Sequence, residues 1–444
     1  MRRGRSEIPT DDTIVNTTPW HPMIDTPRLP VDPLRSRMSR ATASLSSSRP
    51  ACGAWGIRNP AGPGPASCRI AAALLSVLTA FVPVTARAGA EPHLAPAGAP
   101  EVLYSWQTQR CEDEFIPDSP ARAFRRADGE MVLIATHRTN WSLVGPDFHN
   151  LRVSCRVMMR STDYPFGTGR LWIQATYTFD GTKIAALVSQ DLSADFKRAG
   201  CDPRGEPGRC WVNQILSASS DDMGAHFSLA PPDRRTVATL GDAYPPTAKG
   251  RYGVFTTSNI VHRDDGYYMI AATQAWGVQE TGNCLFRTSD PMDPGLWRAW
   301  DGERFSIDMR SPSTPTPCPR IKGLTSEVRS ITYSPRHDRW IAVFAGRHLL
   351  PGDEKPVPGF YYATSTDLLN WSRPARITAA PTKPREERLD QVWGYPSLLD
   401  PQSKTRNFET VDGEAPVLLF TIAHLDNGRG TMNRDIWYMP LKLD

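Results

Sequence analysis

Three carboxylates, Asp118, Asp191 and Glu327, lie far apart in the chain and are of the type that does acid–base work on a bond being cleaved. One carboxyl group gives a proton while another takes one or attacks, and a third nearby raises the pKa of the donor by like-charge repulsion. Arg329, two residues after Glu327, shares a strand face with it and favours its charged form, which argues against Glu327 as the donor. Cations, amides and aromatics recur in the same sequence contexts: Arg122, His137, Asn140, Asn259, Trp276, Trp393, Tyr395 and His424. A pocket built from such a mixture suits a sugar, because aromatics stack on pyranose faces and polar groups bond hydroxyls or a carboxylate. Each residue also has a structural alternative. Asp118 precedes Ser119-Pro120 and can form a turn, Asp191 can belong to a solvated loop, and Glu327 can be the salt-bridge partner of a nearby arginine. The histidines can be hydrogen-bonded core residues, and the tryptophans packing residues.

These positions share a relation to a repeated element. Five times, a strand-like run, a tight turn and a second run follow one another. The pairs are residues 121–124 and 131–135 around Asp128-Gly129, 171–179 and 184–188 around Asp180-Gly181, and 258–261 and 267–271 around Asp265-Gly266. Then come 328–333 and 340–344 around His337-Asp338, and 395–399 and 416–420 across a longer loop holding Asp412-Gly413. Asp-Gly between such runs is a hairpin signal, because glycine accepts the positive φ of the turn. Five hairpins at this spacing predict an all-β fold, a five-bladed β-propeller with one hairpin at the inside of each blade. In that geometry the residues just before strand one and just after strand two converge at one mouth of the channel, which is where the candidate residues fall. Ring closure is expected through the C-terminal run 436–439 completing blade one.

The chain has 444 residues and a net charge of +4. Residues 1–88 are expected to form a leader, with an apolar run at 70–84 and the small-x-small pattern Ala86-Arg87-Ala88 after it. A secreted or periplasmic protein follows, with no stable membrane insertion after cleavage and a single propeller domain over 95–444. Outside the leader no lysine- or arginine-rich block appears, so nucleic-acid binding has no electrostatic footprint. Of eight cysteines, Cys52 and Cys68 fall in the leader. In an exported chain the other six suggest disulfides: Cys201–Cys210 across a Pro/Gly-rich loop, and by proximity in sequence Cys111–Cys155 and Cys284–Cys318. No CxxC and no Cys–His pair at zinc spacing occurs, so no metal site is expected; a structural Ca2+ in the channel is left open, as is the oligomeric state.

Two sets of motifs resemble known families. Ser220-x-Asp222-x-Gly224-x-x-Phe227 resembles the Asp-box turn of sialidase-type propellers, with related runs at 285–290 and 361–371. Gly359-Phe-Tyr-Tyr-Ala-Thr-Ser-Thr-Asp367-Leu-Leu-Asn-Trp371, Asp265-Gly-Tyr-Tyr268 and Tyr395-Pro-Ser-Leu-Leu-Asp400-Pro resemble the five-bladed propellers of glycoside hydrolase families 43 and 32. Residues 172–300 are more similar to a group of exported bacterial propellers of unassigned activity. The family-43 resemblance implies a glycoside hydrolase acting on a poly- or oligosaccharide without cofactor, with Asp118 as base, Asp191 tuning the acid, and Glu327 of blade four as the acid. Blade three offers Ser258-Asn259 where the family carries its acid, and Ser189-Gln190-Asp191 stands where the exported group has His-Asn-Glu. A non-catalytic glycan-binding propeller is one alternative. A sialidase-like enzyme is another; it needs an arginine cluster, which Arg122, Arg138 and Arg329 would supply, and a tyrosine nucleophile.

Overall fold

The computed structural model describes residues 91–164, 169–192, 212–241, 251–274, 279–310, 316–382 and 390–444. The leader with its 70–84 run, Trp276, Cys201 and Cys210 lie outside the described residues. The single α-helix among the described residues is Trp106–Gln109, and no described helix is long and apolar enough to cross a membrane.

Five antiparallel blades follow in chain order. Blade I is Arg122–Arg125, Met131–Ile134, Thr139–Gly145 and Arg152–Arg160. Blade II is Arg170–Thr178, Ile184–Leu192 and Val212–Ser220, edged by Ser228–Leu229 and Thr236–Ala238. Blade III starts at Tyr252–Thr257 and continues through Gly266–Gln274, Gly282–Thr288, Arg298–Trp300 and Phe305–Ile307. Blade IV is Val328–Ser334, Arg339–His348, Val357–Ser365 and Ala375–Ala379. Blade V is Gln391–Leu399, Val417–Asp426 and Arg429–Leu443.

Apolar side chains on both blade faces bury themselves between neighbours, giving five separate cores. They lie between blades I and II, II and III, III and IV, IV and V, and V and I. A core between the last blade and the first closes the ring, so the fold is the five-bladed β-propeller expected.

Two expectations are corrected. The C-terminal residues 436–439 belong to blade V, not blade I, and the ring is closed from the other end of the chain: Leu94–Pro96 and Glu101–Tyr104 pair along Arg429–Leu443. In blade III the inner strand starts earlier than expected, at Tyr252–Thr257, and after Ser258 continues along the same neighbour Gly266–Gln274 as the short strand Val261–Arg263, closing the expected hairpin. The turns are as expected: Gly129, Gly181 and Gly266 have φ of 92°, 80° and 143°. Ser220 Oγ and Asp222 hold the Asp-box turn by accepting the N–H groups of Gly224 and His226, at 2.9 Å each. Cys111–Cys155 and Cys284–Cys318 are bonded.

The loop between the first two strands of blade V runs across the turn end of the ring. Arg406 O accepts from Arg125 N–H of blade I, Asn407 bonds both backbone groups of Thr178 in blade II, and Glu409 accepts from His262 N–H of blade III. Tyr333 of blade IV bonds the backbone of Glu409 and Val411. The loop thus ties the other four blades together at this end, and the strand-start end carries the pocket.

Candidate active site

Four of the five inner strands carry a β-bulge. The ladder slips between Ile173 and Ala175, Phe255 and Thr257, Val328 and Ser330, and Gly394 and Ser397. The residues inside the slips include Gln174, Thr256, Arg329 and Tyr395, and all four line one pocket at the strand-start end. A bulge inserts a residue that pairs with nothing and re-aims its side chain. Here it turns one residue per blade toward the axis. Tyr395 adopts φ 54° to do so, a conformation rare for a bulky side chain.

Bulges also free carbonyls from the ladder, and Arg122 of the unbulged blade I collects them. Its guanidinium donates to Gln174 O at 2.8 Å, Thr257 O at 2.9 Å and Arg329 O at 2.7 Å, and to Ser397 Oγ at 3.4 Å. It therefore joins all five blades. Arg122 was expected to bind substrate; it is 4% exposed, is absent from the pocket lining, and serves as the hub of the ring. Burial and then the charge of Arg329 lower its pKa to about 9, so it remains a cation at neutral pH. Among the described residues, no three His, Cys, Asp or Glu side chains are grouped as metal ligands.

Asp118 and Asp191 line the pocket together, with Trp172, Asn213 and Arg251. Asp118 is buried just before blade I, where Oδ1 accepts from Arg434 and from Tyr395 Oη at 3.1 Å, and His137 Nε2 stands 3.9 Å from Oδ2. Asp191 ends the second strand of blade II, half-buried, and accepts from Asn213. Burial pushes its carboxyl up to about 7, against the opposing pull of Arg170 and Arg251. Asn213 owes its position to Gly253: the two strands pair in parallel there, φ at Gly253 is 117°, and a Cβ would overlap the Asn213 carbonyl.

Glu327 backs the pocket between two of its lining residues. Oε1 accepts from Arg251 Nη2 and Oε2 from Arg329 Nη2 at 2.8 Å. With both oxygens receiving guanidinium protons, Glu327 is placed as an acceptor and a brace. Arg251 stands over the Phe255 ring at 4.1 Å and Arg329 over the Tyr395 ring at 5.5 Å. Burial and then the charge of Arg329 lower the pKa of Arg251 to about 9.

Other expected binding residues are engaged elsewhere. Asn140 donates to Met159 O and Leu171 O and accepts from Ile173 N–H, stitching blade I to blade II. Asn259 bonds both backbone groups of Ile331 at 2.8 Å, stitching blade III to blade IV. Trp393 stacks on Phe420 at 4.7 Å in the core between blades IV and V. His424 pairs with Asp435 at 2.7 Å, away from the pocket lining. His137 lies edge-on to Trp172 and 3.4 Å from Glu114; burial lowers its pKa, so it is a neutral neighbour of Asp118. Arg138, expected in an arginine cluster, is bound to Glu114 instead. The residues that sequence reasoning missed include Arg251, Asn213, Gln174, Phe255, Thr256 and Arg434.

No protein-family model matches the chain, and no curated protein matches it. Among solved structures the chain is similar to a thermostable family-43 glycoside hydrolase, at 11% identity over 74% of this chain and 93% of that one, TM-score 0.42. It is also similar to Zg3597, a family 117 glycoside hydrolase of the marine bacterium Zobellia galactanivorans, at 10% identity over 80% and 90%, TM-score 0.48. A third is an endo-1,4-beta-xylanase of Bacteroides thetaiotaomicron, at 11% identity over 78% and 97%, TM-score 0.42. At likenesses this low, what the pocket does has to be understood from its own residues.

Proposed function

We propose that this pocket hydrolyses a glycosidic bond of a poly- or oligosaccharide, with Asp191 as proton donor and Asp118 as base or nucleophile. The observation that carries the reading is that two carboxyl groups line one pocket in opposite environments. Asp118 accepts hydrogen bonds from a guanidinium and a phenol, the setting of a group that takes a proton or attacks. Asp191 is kept protonated to about pH 7 by burial, the state a general acid needs. Asp191 thus takes the acid role that the family-43 resemblance implies for Glu327. Glu327 instead holds Arg251 and Arg329 in the pocket wall. Trp172 and Tyr395 supply aromatic surface beside the carboxyl groups. A secreted or periplasmic setting accords with the two bonded disulfides.

The test is turnover of polysaccharides and aryl glycosides by the purified protein and by Asp191→Asn. A glycoside whose leaving group departs without protonation, such as a dinitrophenyl glycoside, needs no acid. The variant should keep turning that substrate over while losing turnover of glycosides with poor leaving groups. Equal loss on both classes would remove Asp191 from the acid role. Glycan binding without turnover by the intact protein would leave the propeller as a binding module.

A further inference from the structure

We infer that Asn213 decides which oxygen of Asp191 carries the proton, and so acts as the positioning residue of the acid. The inference rests on the glycosidase reading of the same pocket. Asn213 stands on the third strand of blade II directly opposite Asp191, and its Nδ2 donates to Asp191 Oδ1. A neutral carboxyl group has a carbonyl oxygen, the better acceptor, and a hydroxyl that donates. An amide N–H on Oδ1 therefore makes Oδ1 the carbonyl and leaves the proton on Oδ2, the oxygen that Asn213 does not engage. The opposite orientation of the amide, with its carbonyl accepting from the carboxyl group, fails once Asp191 is ionised, because a carboxylate has nothing to donate. Asp191 passes through that state in every turnover. Oδ2 gives its proton to the glycosidic oxygen as that oxygen takes the electron pair of the broken bond. Asp118, or a water that it deprotonates, bonds the sugar carbon, and Asp191 is left as a carboxylate. Only the N–H orientation serves both states, and a hydrogen bond to the charged acceptor is the stronger of the two. Asn213 thus favours the transferred proton over the held one, which is a gain made in the transition state.

The donor is of a kind that places the acid without ionising it. Arg138 on Glu114 shows the other outcome: the guanidinium, with His137, holds that carboxyl group well below the usual carboxylate range. Around Asp191 stand Arg170, opposite it on the first strand of the blade, and Arg251 at the start of blade III. Asp118, Arg329 and Tyr395 share the pocket wall. The side chain that bonds Asp191 is nevertheless a neutral amide, and burial outweighs the cations. Asn213 is also held in place from both sides. It is 3% exposed, and its backbone lies between the strand of Asp191 and Gly253 of blade III, where a Cβ would overlap its carbonyl. An amide fixed in this way presents its N–H in one geometry throughout the reaction.

The experiment compares the wild type, Asp191→Asn, and Asn213→Leu, which keeps the shape and loses the donor. Aryl glycosides are offered as phenyl and dinitrophenyl pairs of the same sugar. Asn213→Leu should lose about tenfold more kcat/KM on the phenyl member than on the dinitrophenyl one, the size of a hydrogen bond to a charged group. Its alkaline limb should move up by about one pH unit, because the N–H that favours the ionised form is gone. A residue that only held the strand would lower both members alike and leave the limb in place, and that result overturns the inference. A second readout is the infrared difference spectrum between acidic and alkaline pH, with Asp191→Asn as the blank that assigns the band. In the wild type the carbonyl stretch of protonated Asp191 should lie at the lowered frequency of a hydrogen-bonded C=O, and it should rise in Asn213→Leu. A wild-type band at the free C=O frequency overturns the inference, and this measurement stands if Asn213→Leu fails to fold. Loss of both glycosides alike in Asp191→Asn, or no turnover by the wild type, sinks the acid reading and the inference with it. A leaving-group dependence in Asp191→Asn that is missing from Asn213→Leu sinks the inference alone.

Discussion

At the strand-start end of the ring Asp191 lines a pocket among arginines; at the turn end Glu409 belongs to the crossing loop, accepting from Tyr177 Oη at 3.3 Å and His262 N–H at 2.6 Å. Burial raises the pKa of each to about 7. The surroundings then separate them. Asp191 has guanidiniums within electrostatic reach and a cavity in front of it. Glu409 has neutral donors on both oxygens and fastens the loop to blades II and III. A perturbed carboxyl group is therefore a candidate for chemistry only where a substrate can reach it, and elsewhere it is a structural hydrogen-bonded acid.

The largest effect separating the two ends is expected from Asp118→Asn, which should lower kcat by about three orders of magnitude or more, within the range for general acid–base catalysis. Because the change weakens a buried partner of Arg434, a thermal melt should accompany the kinetics; loss of activity with a folded protein is the expected pairing. Asp191→Asn comes next, with about a hundredfold loss on poor leaving groups. Wild-type kcat/KM should fall as pH rises through about 7, where Asp191 loses its proton, and a profile flat from pH 5 to 9 would contradict the acid role.

Glu409→Gln should leave turnover unchanged and alter only stability. A carboxyl group whose folded pKa is raised contributes most below its unfolded pKa, and that contribution is lost as pH rises through the folded value. For Glu409 the window runs from about 4.5 to about 7, and the loss is on the order of 3 kcal/mol. Denaturation at pH 5 and pH 8 should show the variant missing that decline. Asp191→Asn should share this stability signature, so melting alone does not tell the two ends apart, while turnover does. The smallest effect is expected from Asn259→Ala: about 1–3 kcal/mol of stability, from the two backbone groups of Ile331 left unpaired, with kcat unaltered. A large fall in kcat there would return Asn259 to the substrate-binding set.

The hairpins were legible because Asp-Gly turns and alternating apolar runs are local signals, as Gly129, Gly181 and Gly266 confirm by their positive φ. The convergence of Asp118 and Asp191 followed from that geometry. Arg251 is hidden in the sequence because the apolar hairpin signal of blade III starts at 258, six residues after the inner strand itself starts at Tyr252, and Arg251 stands just before that start. Asn140 and Asn259 occupy the right positions for a site but answer a different need. Blades splay apart from the axis, and the backbone groups of one inner strand need partners that the next blade does not offer in its ladder. An amide, with donor and acceptor on one side chain, fits that need as well as it fits a sugar. Arg434 comes from the third strand of blade V, and nothing local in the sequence announces its reach to Asp118.

The bulges have an evolutionary consequence. In a regular strand, residues alternate between two packed faces, so changing one means working around a core. An inserted residue stands outside that alternation. Gln174, Thr256, Arg329 and Tyr395 can thus vary in size and charge with the core positions around them, such as Ile173, Phe255, Val328 and Leu398, keeping their sides. The ring separates its specificity from its stability one residue per blade, so a lineage can exchange substrates by rewriting four codons while the cores stay as they are.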